Sequence, residues 1–313
     1  MSGEQASKRM SGVLSPVVTP FDADYQPDRA RFVRHCQWLL SNDVGLAVFG
    51  TNSEGNSLSV SEKIGLLDTL VEAGLPAARM MPGTGTCALG DTVELTRHAV
   101  KLGAGGVLML PPFYYKGNSD EGLFRSFSEV IQRVGDSRLR VYLYHIPPVA
   151  QVPITLTLIE RLLKEYPGTI AGVKDSSGNW PNTKAMLDQF QPHGFDVFAG
   201  SESFLLATLR GGGAGCISAT ANVNPGPIAK LAATWQGADA DAQQASLDAV
   251  RNVFQGYVMI PALKAAIAHY GDDPAWTTVR PPLVELTAAE QADLVQNLQK
   301  VGFTMPGLAV AAR

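Results

Sequence analysis

Apolar residues collect along the chain in short runs of strand length, and between the runs they return at every third or fourth position, the spacing of a helix with one buried face. The runs are GVLSPVVTP (12–20), VGLAVFG (44–50), RMMPG (79–83), GGVLML (105–110), RVYLYHI (140–146), TIAGVK (169–174), FDVFAG (195–200) and AGCISA (214–219). Helices are predicted at 29–42, 60–74, 91–103, 119–135, 155–166, 180–190, 202–210 and 225–236, several opening on a Ser, Thr, Asp or Asn that can cap the first turn. Eight strands alternating with eight helices predict an α/β protein, a (β/α)8 TIM barrel. An open doubly wound sheet is the alternative, but its usual glycine-rich turn after the first strand is missing, because that run leads into FDADYQ. More helical pattern follows in DAQQASLDAVRNVFQGY and AAEQADLVQNLQKVG, with no Pro/Gly/Ser-rich linker before it. The expected organisation is a barrel over 1–236 and a C-terminal helical extension over 237–313 packed on it.

In such a barrel the active groups sit at the carboxyl ends of the strands and in the loops that follow. Lys174 ends the sixth run, Tyr144 lies near the end of the fifth, Thr51 follows the second, and Tyr114 and Tyr115 follow the fourth in PPFYYKGNSDEG. Adjacent strands are about 4.8 Å apart, so a phenol and an amine on neighbouring strand ends converge on one small ligand. In general, burial disfavours the charged form of an amine and leaves more of it free to attack a ketone. The resulting protonated imine withdraws electrons from the adjacent carbon, and a chain of hydroxyls can carry the protons that the chemistry moves. Position alone equally allows a rim lysine with its ammonium in water. It also allows a core tyrosine with a hydrogen-bonded hydroxyl, and a turn shaped by Thr51 and Asn52.

Composition narrows the classes of function. A chain of 313 residues, 45% hydrophobic and 17% charged, can bury a large core. Net charge is −4 with a pI near 5.8, and no basic stripe is interleaved with aromatics, so nucleic acid is not an expected partner. No apolar segment reaches the roughly 20 residues that span a bilayer. The polar start, MSGEQASKRMSG, lacks the apolar core of an export signal, so no membrane association and a cytoplasmic location are expected. Cys36, Cys87 and Cys216 are far apart and form no CxxC or Cys/His cluster. With no paired His, Asp or Glu at the strand ends either, neither metal nor organic cofactor is expected.

Several ordered segments carry a resemblance: SPVVTPFDAD (15–24), GTNSEGNSLSVSEK (50–63), LPPFYYKGNSDEGLFRSF (110–127), YLYHIPP (142–148), GVKDSSGN (172–179), FAGSES (198–203), GGGAGCISATANVNP (211–225) and IPALKAAIAHYG (260–271). In this order, across nearly the whole chain, they resemble the dihydrodipicolinate synthase and N-acetylneuraminate lyase superfamily of Schiff-base, class I aldolases. The resemblance implies that Lys174 is the imine-forming lysine and Tyr144 the general acid/base beside it. His145 stands where the family's Tyr-Asn-x-Pro pattern has Asn. Thr51 and Tyr115 would complete a proton relay, with Tyr114 the neighbouring candidate. The second tyrosine often comes from an adjacent subunit in this family, so a homotetramer or homodimer is expected. GTNSE corresponds to the loop G-[ST]-x-G-E that holds the keto-acid carboxylate, with Asn52 a donor and Ser53 in the place of a glycine. Gly200 and Ile217 match backbone positions lining the pyruvate pocket, and Ser201 and Glu202 lie where sugar-acid members contact substrate hydroxyls.

One departure bears on specificity. True dihydrodipicolinate synthases resemble one another in an arginine five residues after the active tyrosine, where this chain has Val149. Valine removes a fork of guanidinium donors and suggests an apolar or uncharged end on the second substrate unless another arginine reaches the pocket. The expectation is a dihydrodipicolinate synthase-like lyase, an aldolase or dehydratase acting on pyruvate or a related 2-oxo acid, with an aldehyde as the candidate second substrate. The alternatives are a genuine 4-hydroxy-tetrahydrodipicolinate synthase, disfavoured by Val149, and a keto-acid-binding barrel without turnover.

Overall fold

The computed structural model describes residues 9–308, so the first eight residues of the polar start lie outside the described residues. Seven parallel strands are β1 (Gly12–Ser15), β2 (Gly45–Leu46), β3 (Val107–Met109), β4 (Val141–His145), β5 (Ile170–Asp175), β6 (Asp196–Ala199) and β7 (Gly215–Ile217). They pair in the order β2-β1-β7-β6-β5-β4-β3. The run at 79–83, expected as a full strand, makes two isolated parallel bridges instead, Leu46 with Met80 and Gly83 with Leu108. These bridges join β2 to β3 and close the barrel. Pro82 explains the shortfall, since it has no N–H for the ladder, although its carbonyl still accepts from Leu108 N at 2.9 Å.

The helices around the barrel are α1 (Arg29–Ser41), α2 (Val60–Glu72), α3 (Leu89–Lys101), α4 (Asp120–Val134), α5 (Pro147–Ala150), α6 (Leu156–Glu165), α7 (Trp180–Phe190), α8 (Leu205–Arg210) and α9 (Pro225–Thr234). Their starts follow from local chemistry. Asp28, Ser59, Ser119 and Thr155 each accept a backbone N–H of the first turn, and Ser59 forms a reciprocal box with Glu62. The helix expected at 202–210 divides into a 3-10 turn, Glu202–Phe204, and α8. Strand residues alternate between two apolar layers. One, with Met81, Leu108, Tyr142, Tyr144, Phe198 and Ile217, fills the barrel interior, and the other packs the strands against the helices.

Three further helices follow, α10 (Ala240–Gln255), α11 (Met259–Tyr270) and α12 (Ala288–Lys300). Polar contacts tie them to the barrel. Gln244 donates to the carbonyl of Glu202 at 3.0 Å, Lys264 pairs with Glu54, and Arg31 reaches Asp273 at 2.6 Å. No helix among the described residues is long and apolar enough to cross a membrane.

Candidate active site

Register places the central pair. In the parallel ladder of β4 and β5, Tyr144 lies opposite Lys174 and His145 opposite Asp175. Since successive side chains point to opposite faces, Tyr144 and Lys174 enter the barrel interior while the next pair faces the helices. The Lys174 amine lies 3.3 Å from the Tyr144 hydroxyl and 4.3 Å from the centre of its ring. The Tyr144 hydroxyl is in turn 3.1 Å from Thr51 Oγ1. Lys174 is only 2% exposed and Tyr144 3%, so the lysine is not a rim residue reaching water. No carboxylate among the described residues pairs with it, and its hydrogen-bond partner is the Tyr144 hydroxyl.

The outward pair supports this geometry from behind. Asp175 accepts from Ser177 N at 2.9 Å, Asn182 Nδ2 at 3.1 Å and Thr183 Oγ1 at 2.6 Å, which ties the end of β5 to the first turn of α7. His145 Nδ1 accepts from the backbone N–H of Ile154 at 2.9 Å, and its Nε2 lies 3.9 Å from Asp175. Burial holds the imidazole pKa below its ordinary value, against the pull of Asp175, so the ring serves as a neutral anchor for the loop after β4.

The loop after β2 presents Thr51 and Asn52 on a 3-10 turn, Thr51–Ser53. Ser53 is not a positive-φ position, and the left-handed residue is Glu54 at φ 55°, so the missing family glycine does not put Ser53 itself in a strained conformation. Instead the Ser53 hydroxyl accepts from Gly50 N at 3.2 Å, and its carbonyl accepts from Thr19 Oγ1 at 2.7 Å. Glu54 is held by a buried ion pair to Lys264 on α11 and by the backbone N–H of Arg280 at 2.9 Å. Burial brings the Lys264 amine down to about 8. The signal for this pair was a lysine inside the apolar run IPALKAAIA, but its partner is a residue far back in the chain.

The remaining positions separate. Gly200 is required as glycine, because a Cβ there would lie 2.7 Å from Ser176 Cα and 2.8 Å from the Asp175 carbonyl. Ile217 is fully buried at the end of β7 in the interior layer. Ser201 caps the following turn through Ser203 N at 3.3 Å. Glu202 is buried rather than open to a ligand, accepting from Ser218 and Thr220 and pairing with Arg251 at 3.4 Å. Tyr115 is not brought to the others within one chain. It is 70% exposed and packs edge-on against Tyr114, which is 73% exposed. Val149, at 61%, is exposed nearby, since Lys116 joins the tyrosine loop to the carbonyl of Ala150 at 2.8 Å.

The arrangement therefore holds an amine, a phenol and a hydroxyl in successive hydrogen-bond contact inside the barrel. The family model of the dihydrodipicolinate synthetase family matches residues 9–301. An uncharacterized DapA-like lyase of Chloroflexus aurantiacus is 37% identical over 297 residues, covering 93% of this chain and 96% of its own. A 4-hydroxy-tetrahydrodipicolinate synthase of Methanococcoides burtonii is 30% identical, covering 93% of this chain and 98% of its own. Among solved structures, E. coli K12 YagE, a prophage protein of the dihydrodipicolinic acid synthase family in complex with pyruvate, superposes with a TM-score of 0.85 at 28% identity, over 94% of this chain and 99% of that one. With the family model spanning all but the two ends, this chain belongs to the dihydrodipicolinate synthetase family.

Proposed function

We propose that the protein is a class I lyase, an aldolase or dehydratase that captures pyruvate or a related 2-oxo acid as an imine on Lys174. The observation that supports this most directly is the buried amine 3.3 Å from Tyr144, whose hydroxyl is 3.1 Å from Thr51. The uncharged amine attacks the keto carbon. Tyr144 protonates the departing oxygen, and water leaves as the C=N bond forms. The protonated imine then draws electrons from the neighbouring carbon, so loss of a C3 proton gives an enamine. That carbon can add to an aldehyde; in a longer substrate the reverse of this addition breaks a carbon–carbon bond as its electrons flow into the imine, or the enamine expels a C4 hydroxyl that takes up a proton and leaves as water. The imine is itself the electron sink, and the reading includes no metal or organic cofactor.

Proton traffic runs from Tyr144 to Thr51. A second copy of the chain that inserts its Tyr115 would extend this relay to solvent. The exposed aromatic pair Tyr114 and Tyr115 supports such a homodimer or homotetramer, because two large rings left in water favour burial at an interface. The N–H groups of Thr51 and Asn52, with the Asn52 side chain, are the donors for the substrate carboxylate, Ser53 N being held by the Gly50 carbonyl at 3.1 Å. Exchange of the pyruvate methyl protons in heavy water, followed by proton NMR, tests the enamine step without requiring the second substrate. The protein should accelerate the exchange, and a rate equal to that of buffer would favour a barrel that binds the keto acid without turnover.

A further inference from the structure

The packing around Tyr144 sets the direction in which a longer substrate runs. Tyr142, two residues earlier on the same face of β4, is 1% exposed and meets the buried Phe198 edge-on, with ring centres 5.8 Å apart. The barrel is therefore filled on the amino-terminal side, and a substituent carried beyond the reacting carbons extends toward the carboxyl ends of the strands. The next interior position of the β4 path in that direction is Ile146, about 7 Å beyond Tyr144 at the rise of a strand. It is buried in the same apolar layer as Tyr144. Leu110 continues the interior face of Leu108, and because Leu108 lies opposite Tyr142, Leu110 comes beside Tyr144 on the side away from Lys174. Phe113, in the loop after β3, packs against this layer too, and like Leu110 it is only half-buried. Lys116 ties this wall together, since its amine donates to the carbonyls of Phe113 and, at 2.8 Å, of Ala150.

Charged groups near the strand ends are committed elsewhere. Asp175 is bound to the start of α7, Glu54 to Lys264, Glu202 to Arg251, and the Lys116 amine to two carbonyls. Val149, where a guanidinium is expected, adds no charge. A carboxylate laid against Ile146 and Leu110 would lose water without gaining a charge-assisted partner, whereas an alkyl or aryl group gains free energy by leaving water there.

We infer that Ile146, Leu110 and Phe113 form the subsite for the far end of the substrate, so that the preferred substrates are 2-oxo acids with an alkyl or aryl tail from C5 onward. This rests on the imine reading of Lys174 and names the substrate class of that site. Val149 itself is 61% exposed and stands outside the interior layer, so the apolar preference is carried by these three residues and not by the valine. They are specificity residues and take no part in the covalent step.

Imine capture measures this without a second substrate. Half-saturating concentrations for borohydride trapping are compared between 5-methyl-2-oxohexanoate and 2-oxoglutarate, and between 6-methyl-2-oxoheptanoate and 2-oxoadipate. Each pair shares one chain and ends in an isopropyl group or a carboxylate. The wild type should favour the isopropyl member of at least one pair about tenfold or more, which is what two buried methyl groups contribute. Ile146→Thr and Phe113→Ala should each lower that ratio about threefold or more. Because the readout is a ratio within each variant, partial loss of folded protein does not imitate the effect. A wild-type ratio of one or less in both pairs, or a ratio that survives in both variants, overturns the subsite. Pyruvate, which has no distal group, is trapped on the wild type in parallel. If pyruvate and all four acids fail to trap, the imine reading itself fails and the subsite falls with it, whereas pyruvate trapping with no apolar preference, or with none of the four acids captured, rejects the subsite alone.

Discussion

Lys264→Met tests whether the carboxylate loop is held in place by a charge buried behind it. Both side chains of the Lys264–Glu54 pair are 0% exposed, and the amine also donates to the Thr278 carbonyl at 2.8 Å and sits 4.5 Å from the centre of the Phe21 ring. Methionine keeps much of the length and apolar stem but removes the positive charge. Glu54 then retains the backbone N–H of Arg280 and no countercharge at contact distance, and breaking one side of a buried pair costs about 3–5 kcal/mol. In urea unfolding followed by circular dichroism at pH 7, that loss corresponds to a midpoint lowered by about 1 M or more. The double variant Lys264→Met/Glu54→Gln removes the stranded charge as well, and should regain about 2 kcal/mol or more of the loss. Glu54 directly follows the turn that carries Thr51, so the single variant should also slow pyruvate methyl exchange under conditions where it remains folded. A single variant within about 1 kcal/mol of wild type, or a double variant no more stable than the single, would refute the reasoning.

Two further outcomes follow from the site and the core. Tyr144→Phe removes the hydroxyl between Lys174 and Thr51 and should slow methyl exchange by about 10²–10⁴-fold, the usual worth of a positioned acid/base, while leaving the unfolding midpoint close to wild type; wild-type exchange would reject the role. His35 is 2% exposed with Nδ1 unpartnered, and burial brings its pKa to about 4 from an ordinary 6.5. As pH falls, the unfolded chain takes up this proton first. The stability that His35 contributes is thus complete above about 6.5 and lost on descent through about 4, a change of about 3 kcal/mol. His35→Gln should flatten that limb of the stability-versus-pH curve, and a limb of unchanged depth would assign the acid sensitivity to other groups.

The features legible in the sequence were those set by local pattern. Alternating runs located the strands, and Lys174 could be placed beside Tyr144 because neighbouring parallel strands end at a common rim. Pro82 shows where the pattern overstates order, since the apolar run reads as a strand although one of its residues cannot donate to a ladder. Features set by distant partners stayed hidden. Glu54 looked like part of a substrate turn, and only the folded chain brings Lys264 against it. Arg251 reads in sequence as one charged position on an amphipathic helix, which is normally a solvated one, and nothing local announces its contacts to Glu202 and Ser218. Glu202 matched a position that meets substrate hydroxyls, but Ser218, Thr220 and Arg251 occupy its carboxylate. The exposure of Tyr115 concerns surfaces between copies, which local pattern does not encode.

The central claim is that Lys174 bonds covalently to the keto acid, and intact-protein mass spectrometry after incubation with pyruvate and borohydride tests it most directly. The wild type should gain one pyruvate-sized adduct, mapped to the peptide containing Lys174, and Lys174→Ala should gain none. An adduct of equal yield in Lys174→Ala would contradict the account.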